Sequence, residues 1–415
     1  MINRNFLNAF GPGILFSGAA IGTSHLVQST RAGAVYGLGF ILLVVFANAI
    51  KYPFFRFGPL YTAATGKSIL HGYRQLGKWA IVAVILTELP VNIIIVAASA
   101  LVTAGIALSV FDLDLKITHL SIVLIALAFV LIGLGGYKFI DRCTKLFVAV
   151  LTVCTLTATV ITIPSVNWGI GSFAFPEIDT TTLAFTLALL GFMPAGVSLS
   201  LLHSVWSVEK SKVTGYRPSI SEAMTDLNIG YIGSAVLAVC FLIMGAGSLH
   251  ENGIELSSNP GQFAGQVISL YSITLGSWAG IVVGASVFAV MISTLLTVLD
   301  GFARMQEGAI NQLIRSSSTR ERAHNTEKQL HILIMAVIAT LASTVLIVFM
   351  SNFKSFIDFV TITAFMIGPV IAILNHIVMH GSTVPKELRP SLLMTLWSFA
   401  GIVFLVSLSI MYLLS

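Results

Sequence analysis

Long apolar runs alternate along the chain with short stretches of charged, Gly or Pro residues. Reading the runs between this punctuation predicts eleven helices, near 10–35, 39–57, 78–109, 118–137, 143–163, 181–206, 227–248, 266–300, 330–350, 354–379 and 392–414. Most are roughly 18 to 25 residues long, the length that crosses ~30 Å of hydrocarbon. The third and eighth are longer, which fits tilting or extension past the bilayer. The longest polar connection, 301–329, carries Ser316, Ser317, Ser318 and Thr319 among alternating charges and reads as a partly helical loop. Nothing between the runs is long enough for a separate catalytic or nucleotide-binding domain. No GxxxxGK[ST] loop occurs, so neither an enzyme nor an ATP-driven machine is expected.

Composition agrees with the pattern. Of 415 residues only 9% are charged and 56% are hydrophobic, where soluble domains run near 25% charged. A soluble enzyme, a disordered chain and a secreted disulfide scaffold are excluded, and an all-α polytopic membrane protein is the expected class. Cys143, Cys154 and Cys240 show no metal-ligand spacing and read as small buried hydrophobes. The first apolar run leads into Gly-rich, polar sequence rather than a cleavage site, so no signal peptide is expected.

Charge adds a topology. With the N-terminus inside, 19 of the 22 basic residues fall on the cytoplasmic side, including Lys51 and Arg56 at the end of the second span. The opposite loops carry Asp112, Asp114, Glu177, Asp179, Glu251 and Glu255. Such a bias assigns the basic excess to membrane orientation rather than to nucleic acid. The expectation is a multi-pass protein of the cell inner (cytoplasmic) membrane, N-terminus cytoplasmic and C-terminus extracytoplasmic. Its expected partners are the lipid bilayer and a small ion or solute, with no obligate protein partner and no cofactor beyond a transported or coupling cation.

Two spans carry residues that plain lipid-crossing helices do not need. The first opens Gly11-Pro12-Gly13 and continues Ser17-Gly18-Ala19-Ala20-Ile21-Gly22-Thr23-Ser24-His25. Gly18 and Gly22 beside hydroxyls and a histidine predict an interruption, tolerable where it lines a cavity or meets a ligand. Close packing through small residues is the competing reading. The sixth span reads Leu190-Gly191-Phe192-Met193-Pro194-Ala195-Gly196-Val197-Ser198, where Pro194 removes a donor and Gly191 and Gly196 lower the cost of unwinding. These two spans hold equivalent places if the chain is two five-helix repeats, 10–163 and 181–379. Residues 1–9 then precede the first repeat, 164–180 join the two outside, and 380–415 form a loop and an eleventh helix. Five helices per repeat inverts one repeat against the other, and paired interrupted helices point to a midplane site.

Other intramembrane polar residues need partners. Glu88 in the third span is expected to pair with Lys51 or Arg56, since an unpaired carboxylate is costly there. Ser293, Thr294 and Thr297 share a helical surface and either bind a coupling cation or bond to preceding carbonyls. Asn375 and His376 are weaker candidates, and His203 and Trp206 are placed toward the cytoplasmic end of the sixth span.

With these residues in hand, the sequence resembles the natural resistance-associated macrophage protein (NRAMP) family of secondary metal transporters over nearly its whole length. The anchors are Gly11-Pro12-Gly13 with Arg31-Ala32-Gly33-Ala34, then Met193-Pro194 leading to Leu202-His203-Ser204, then Ser293-Thr294 through Asp300-Gly301 and Glu307-Gly308. The resemblance implies a LeuT-like fold with inverted five-helix repeats, alternating access, and substrate at the breaks of the first and sixth helices. The family's Asp-Pro-Gly-Asn motif is matched by Gly22-Thr23-Ser24-His25, so its metal-binding carboxylate is replaced by Gly22 and its Asn by His25. Met193 and Pro194 remain, but the following His is Ala195, a second His is matched by Ser200, and the third-helix Asp falls near Ile95. The implied substrate site is Gly22, Thr23, Ser24, His25, Met193, Ala195, Gly196 and Ser198, without an anion and with its metal unknown. The expectation is a secondary active transporter moving a cation, with a divalent metal among the candidates. The alternative is a Na+-coupled carrier of a small organic solute such as an amino acid.

Overall fold

The computed structural model describes residues 10–314 except 178 and 258, then 323–349 and 353–414; within these, nothing is described of the side chains of 23, 135–141, 143–144, 260, 277–279, 323–326 and 353–354. Thr23, Ser316 to Thr319 and several basic loop residues used for topology therefore lie outside the described side chains. Among the described residues there are fourteen α-helices and no strand.

The first predicted span is α1 (Pro12–Ala20), a π-helical turn (Ile21–Ser29) and α2 (Thr30–Tyr36). The second is α3 (Ile41–Thr65), which ends at Gly66 in the left-handed conformation. A short helix absent from the prediction, α4 (Ile69–Leu76), precedes α5 (Lys78–Val110), the third span. Spans four and five fall in one helical run, α6 (Ile117–Thr162); the stretches Ile117–Leu134 and Lys145–Ser165, the second reaching three residues past its end, are each long and apolar enough to cross. The sixth span is two helices, α7 (Thr180–Phe192) and α8 (Leu199–Thr214). Span seven is α9 (Ile220–Gly245), opened by a reciprocal Ser219/Glu222 capping box.

The predicted eighth span, 266–300, needs correction. Gly276, at φ 95°, ends α10 (Pro260–Leu275), and α11 (Ser277–Ile314) begins directly after it. The apolar sequence runs on through that corner, so hydropathy alone could not see it. The remaining spans are α12 (Ala323–Phe349), α13 (Phe353–His380) and α14 (Leu392–Leu414). Among the described residues nine helical stretches are long and apolar enough to cross a membrane, one of them, Ser24–Thr65, joining spans one and two.

Small residues let the helices touch by backbone, as membrane packing requires. A Cβ on Gly13 would lie 2.0 Å from the Asp226 carbonyl oxygen, and one on Gly33 would lie 2.0 Å from that of Leu242. Reciprocally, Gly230 meets Gly13 and Gly245 meets Thr30. Both contact points ascend in the chain together, so the first and seventh spans run parallel. Helix α11 packs against α5 and α6 inside the bundle, while α14 lies outside against α3 and α13. Large apolar side chains such as Leu86, Val123, Leu134, Ile281 and Leu393 are exposed on the outer surface, where lipid rather than water suits them.

Candidate functional site

The two interruptions differ in kind. In the first span only Gly22 departs from helical geometry, at φ −53° and ψ −105°, inside the π-helical turn. Gly18, expected to share the break, is regular helix. Gly22 is needed for close approach to α11, because a Cβ there would sit 3.0 Å from Thr294 Cγ2. The sixth span is open over Met193–Ser198, with Met193 extended and its bond to Pro194 cis. Gly191 lies in the last turn of α7, where a Cβ would strike Phe365 at 2.3 Å, while Gly196 has no such obstacle.

Ser24 ties the two breaks together. Its hydroxyl oxygen lies 2.6 Å from the Pro194 carbonyl, 2.7 Å from His25 Nδ1, and also against the Ala20 carbonyl. One hydroxyl proton serves one acceptor at a time, so oxygens converge here beyond what the proton can satisfy. His25 is fully buried and uses both ring nitrogens inside the protein, with Nε2 2.8 Å from the Ser234 carbonyl of α9. Met193, expected as a soft ligand, packs in an apolar cluster with Phe40, Leu190 and Phe365. Ala195 is also buried among apolar side chains. Thr294 donates to the Gly18 carbonyl at 2.7 Å, joining α11 to α1, and Thr297 bonds to the preceding Ser293 carbonyl at 2.6 Å.

The expected pairing of Glu88 with Lys51 or Arg56 is corrected by the structure. Lys51 Nζ donates to the Gly191 carbonyl at 2.8 Å and to that of Met193, because the end of α7 presents open carbonyls within reach of its stem. Arg56 donates to Tyr52 Oη at 3.4 Å. Glu88, fully buried on α5, instead accepts from the Ser198 hydroxyl at 2.9 Å. The sixth-span break therefore has a carboxylate against it, where the sequence reading expected none. The second oxygen of Glu88 and both amide atoms of Asn92, one turn on, are buried without a partner. Beside them Tyr73 Oη donates to Asn375 Oδ1 at 2.6 Å, and the Asn375 amide donates to Ser200 Oγ at 2.8 Å.

Two further groups escaped the sequence reading. Asp226, at the start of the seventh span, accepts from the backbone N–H of Gly11 (2.9 Å) and Gly13 (2.7 Å) and fixes the start of α1. Its signal was the Gly-Pro-Gly opening, whose N–H groups have no helical partner. At the other end of the bundle Arg31 and Asp358 form an ion pair at 2.7 Å, and the guanidinium lies 4.6 Å over the Phe185 ring. A cavity of about 320 Å³ opens at the Asp226 end, lined in part by His203, Lys210, Lys212 and Arg217. His203 and Trp206 are both buried.

The chain is 31% identical over 413 residues to an uncharacterised protein of Pasteurella multocida (strain Pm70), covering 97% of this chain and 91% of that one. Its fold is similar to that of a mutant manganese transporter from Eremococcus coleocola, with TM-score 0.71, 12% identity, and 99% and 88% of the two chains covered. It is also similar to MhsT in complex with L-phenylalanine, with TM-score 0.66, 14% identity, and 98% and 99% covered. At such identities the likeness is one of fold, and the fold is LeuT-like. The model of the natural resistance-associated macrophage protein-like family matches residues 13–415. The chain is therefore a member of that family and a secondary transporter of its type.

Proposed function

We propose that the transported species is a cation held between the first and sixth spans, with Glu88 supplying the negative charge that Gly22 lacks. The observation that carries this is the buried Glu88 carboxylate, one oxygen on Ser198 and the other unpartnered beside the unpartnered amide of Asn92. An uncompensated carboxylate in the membrane interior costs several kcal/mol, and a bound cation offsets that cost. The converging oxygens of Ser24 and Ala20 from the first break, and of Pro194 from the sixth, add neutral ligands.

Among the described residues no three His, Cys, Asp or Glu side chains gather as a metal-binding group. One carboxylate with amide, hydroxyl and carbonyl oxygens suits a hard cation that keeps part of its water shell. Manganese is the first ion to test, since the similar Eremococcus coleocola protein is a manganese transporter. The basic bias of the loops supports residence in the cytoplasmic membrane with the N-terminus inside.

The test is uptake into proteoliposomes of Mn²⁺, Mg²⁺ and Na⁺, alone and with amino acids. Saturable cation uptake that falls at least tenfold in Glu88→Gln supports the proposal. Cation uptake indifferent to Glu88→Gln, or saturable uptake of an organic solute alone, overturns it.

A further inference from the structure

The break in the sixth span leaves the C-terminal end of α7 inside the membrane. The last carbonyls of a helix have no partner within it and carry the negative end of the helix dipole. In transporters with discontinuous helices, such ends coordinate coupling cations. In this chain the end of α7 is already occupied. Lys51 Nζ bonds to the carbonyls of Gly191, in the last turn, and Met193, just past it.

Lys51 arises well inside the 25-residue α3 and is fully buried. Its neighbours one turn away on α3 are Ala47, Asn48, Phe54 and Phe55, all buried. Among the described residues no carboxylate pairs with it, since Glu88 bonds to Ser198 and Asp358 to Arg31. A lysine so enclosed, compensated only by two carbonyl oxygens, takes the kind of ligand that a dehydrated alkali ion takes at a helix end. An isolated buried ammonium is costly, and a merely structural filler at this position would be an apolar side chain.

We propose that Lys51 is a tethered substitute for a monovalent coupling cation, so that this chain requires neither Na⁺ nor K⁺ at the end of α7. This rests on reading the sixth-span break as part of the transport site. Because the charge is covalently attached, it stays with α3 through the cycle and cannot be released to either side.

The test uses the purified full-length protein and the cations themselves as probes, so it does not depend on the substrate being known. Thermal stability is measured in choline, Na⁺, K⁺ and ethylammonium chloride at equal ionic strength. The wild type is expected to give one Tm in all four. Lys51→Ala is expected to lose stability in choline and to regain roughly 3 °C or more with a small cation that fills the vacated place. Lys51→Met, which keeps the volume and removes the charge, is expected to be destabilised with no recovery in any cation. Whereas stabilisation by Na⁺ or K⁺ over choline that is lost with Glu88 belongs to the transported cation and leaves the proposal standing, stabilisation that persists in Glu88→Gln would overturn it even if neither Lys51 variant folds. So would a folded Lys51→Ala protein whose Tm ignores every cation, which is the outcome for a lysine of purely structural value. Failure of the manganese experiment alone would leave these results standing.

Discussion

Replacing Asp226 by Ala removes the anchor of the first span. The carboxylate is buried and receives two backbone N–H groups, from Gly11 at 2.9 Å and Gly13 at 2.7 Å. Pro12 between them has no N–H, so these two are the donors that the start of α1 must place. A hydrogen bond to a charged group is worth about 1.5–3 kcal/mol, so losing both costs about 3–6 kcal/mol where water cannot replace them. At roughly 2 °C per kcal/mol for a large domain, the expected fall in Tm is about 6–12 °C. Asn has a single acceptor oxygen and turns an NH₂ toward the second donor, so Asp226→Asn should recover at most half of the loss. The assay is thermal unfolding of the detergent-solubilised protein followed by tryptophan fluorescence. An Ala variant within about 1 °C of wild type would refute the argument, because the two N–H groups would then have found equal partners elsewhere.

The Arg31–Asp358 pair is only partly shielded, at 16% and 28% side-chain exposure, so Asp358→Ala should cost no more than about 1 kcal/mol. It should instead raise the labelling rate of a Gln28→Cys reporter by a membrane-impermeant thiol reagent; an unchanged rate would mean the pair does not close that end. Gly33→Ala places a methyl 2.0 Å from a backbone oxygen of α9 and should destabilise by about 1–3 kcal/mol or more, since a backbone cannot rotate away. Gly233→Ala on the same α9, with nothing within 4 Å of its Cβ, should be neutral or slightly stabilising. Equal effects in the two variants would show that helix propensity, not contact, decides.

What could be read from the sequence was whatever hydropathy and composition encode locally. The spans, the irregular Gly22 and the opening at Pro194 belong to this class, because lipid makes apolar length and backbone satisfaction nearly obligatory. The corner at Gly276 was hidden because apolar residues continue on both sides of it. The partners of Lys51, Glu88 and Asp226 were hidden for another reason. Each reaches across more than a hundred residues of sequence, to Gly191, Ser198 and Gly11, and no local pattern states which helix lies opposite. Charge-pairing logic chose Lys51 or Arg56 for Glu88; the open end of α7 competed for the lysine and won, and Arg56 reaches Tyr52 instead.

The glycine contacts between the first and seventh spans set a ruler along both. From Gly13 to Gly33 the first span uses 20 residues where their partners Asp226 and Leu242 are 16 apart, and from Gly13 to Thr30 it uses 17 where their partners Gly230 and Gly245 are 15 apart, a surplus of two to four on one strut of a parallel pair. As regular α-helix that surplus would be about 3–6 Å too long. The wide turn at Ile21–Ser29 and the bend at Gly22 take up the slack. Straightening the first span would therefore drive one of its two clamps out of register by about half to one helical turn. The bend is held by the distance between clamps, so a better helix former at residue 22 would strain the clamps before it straightened the span.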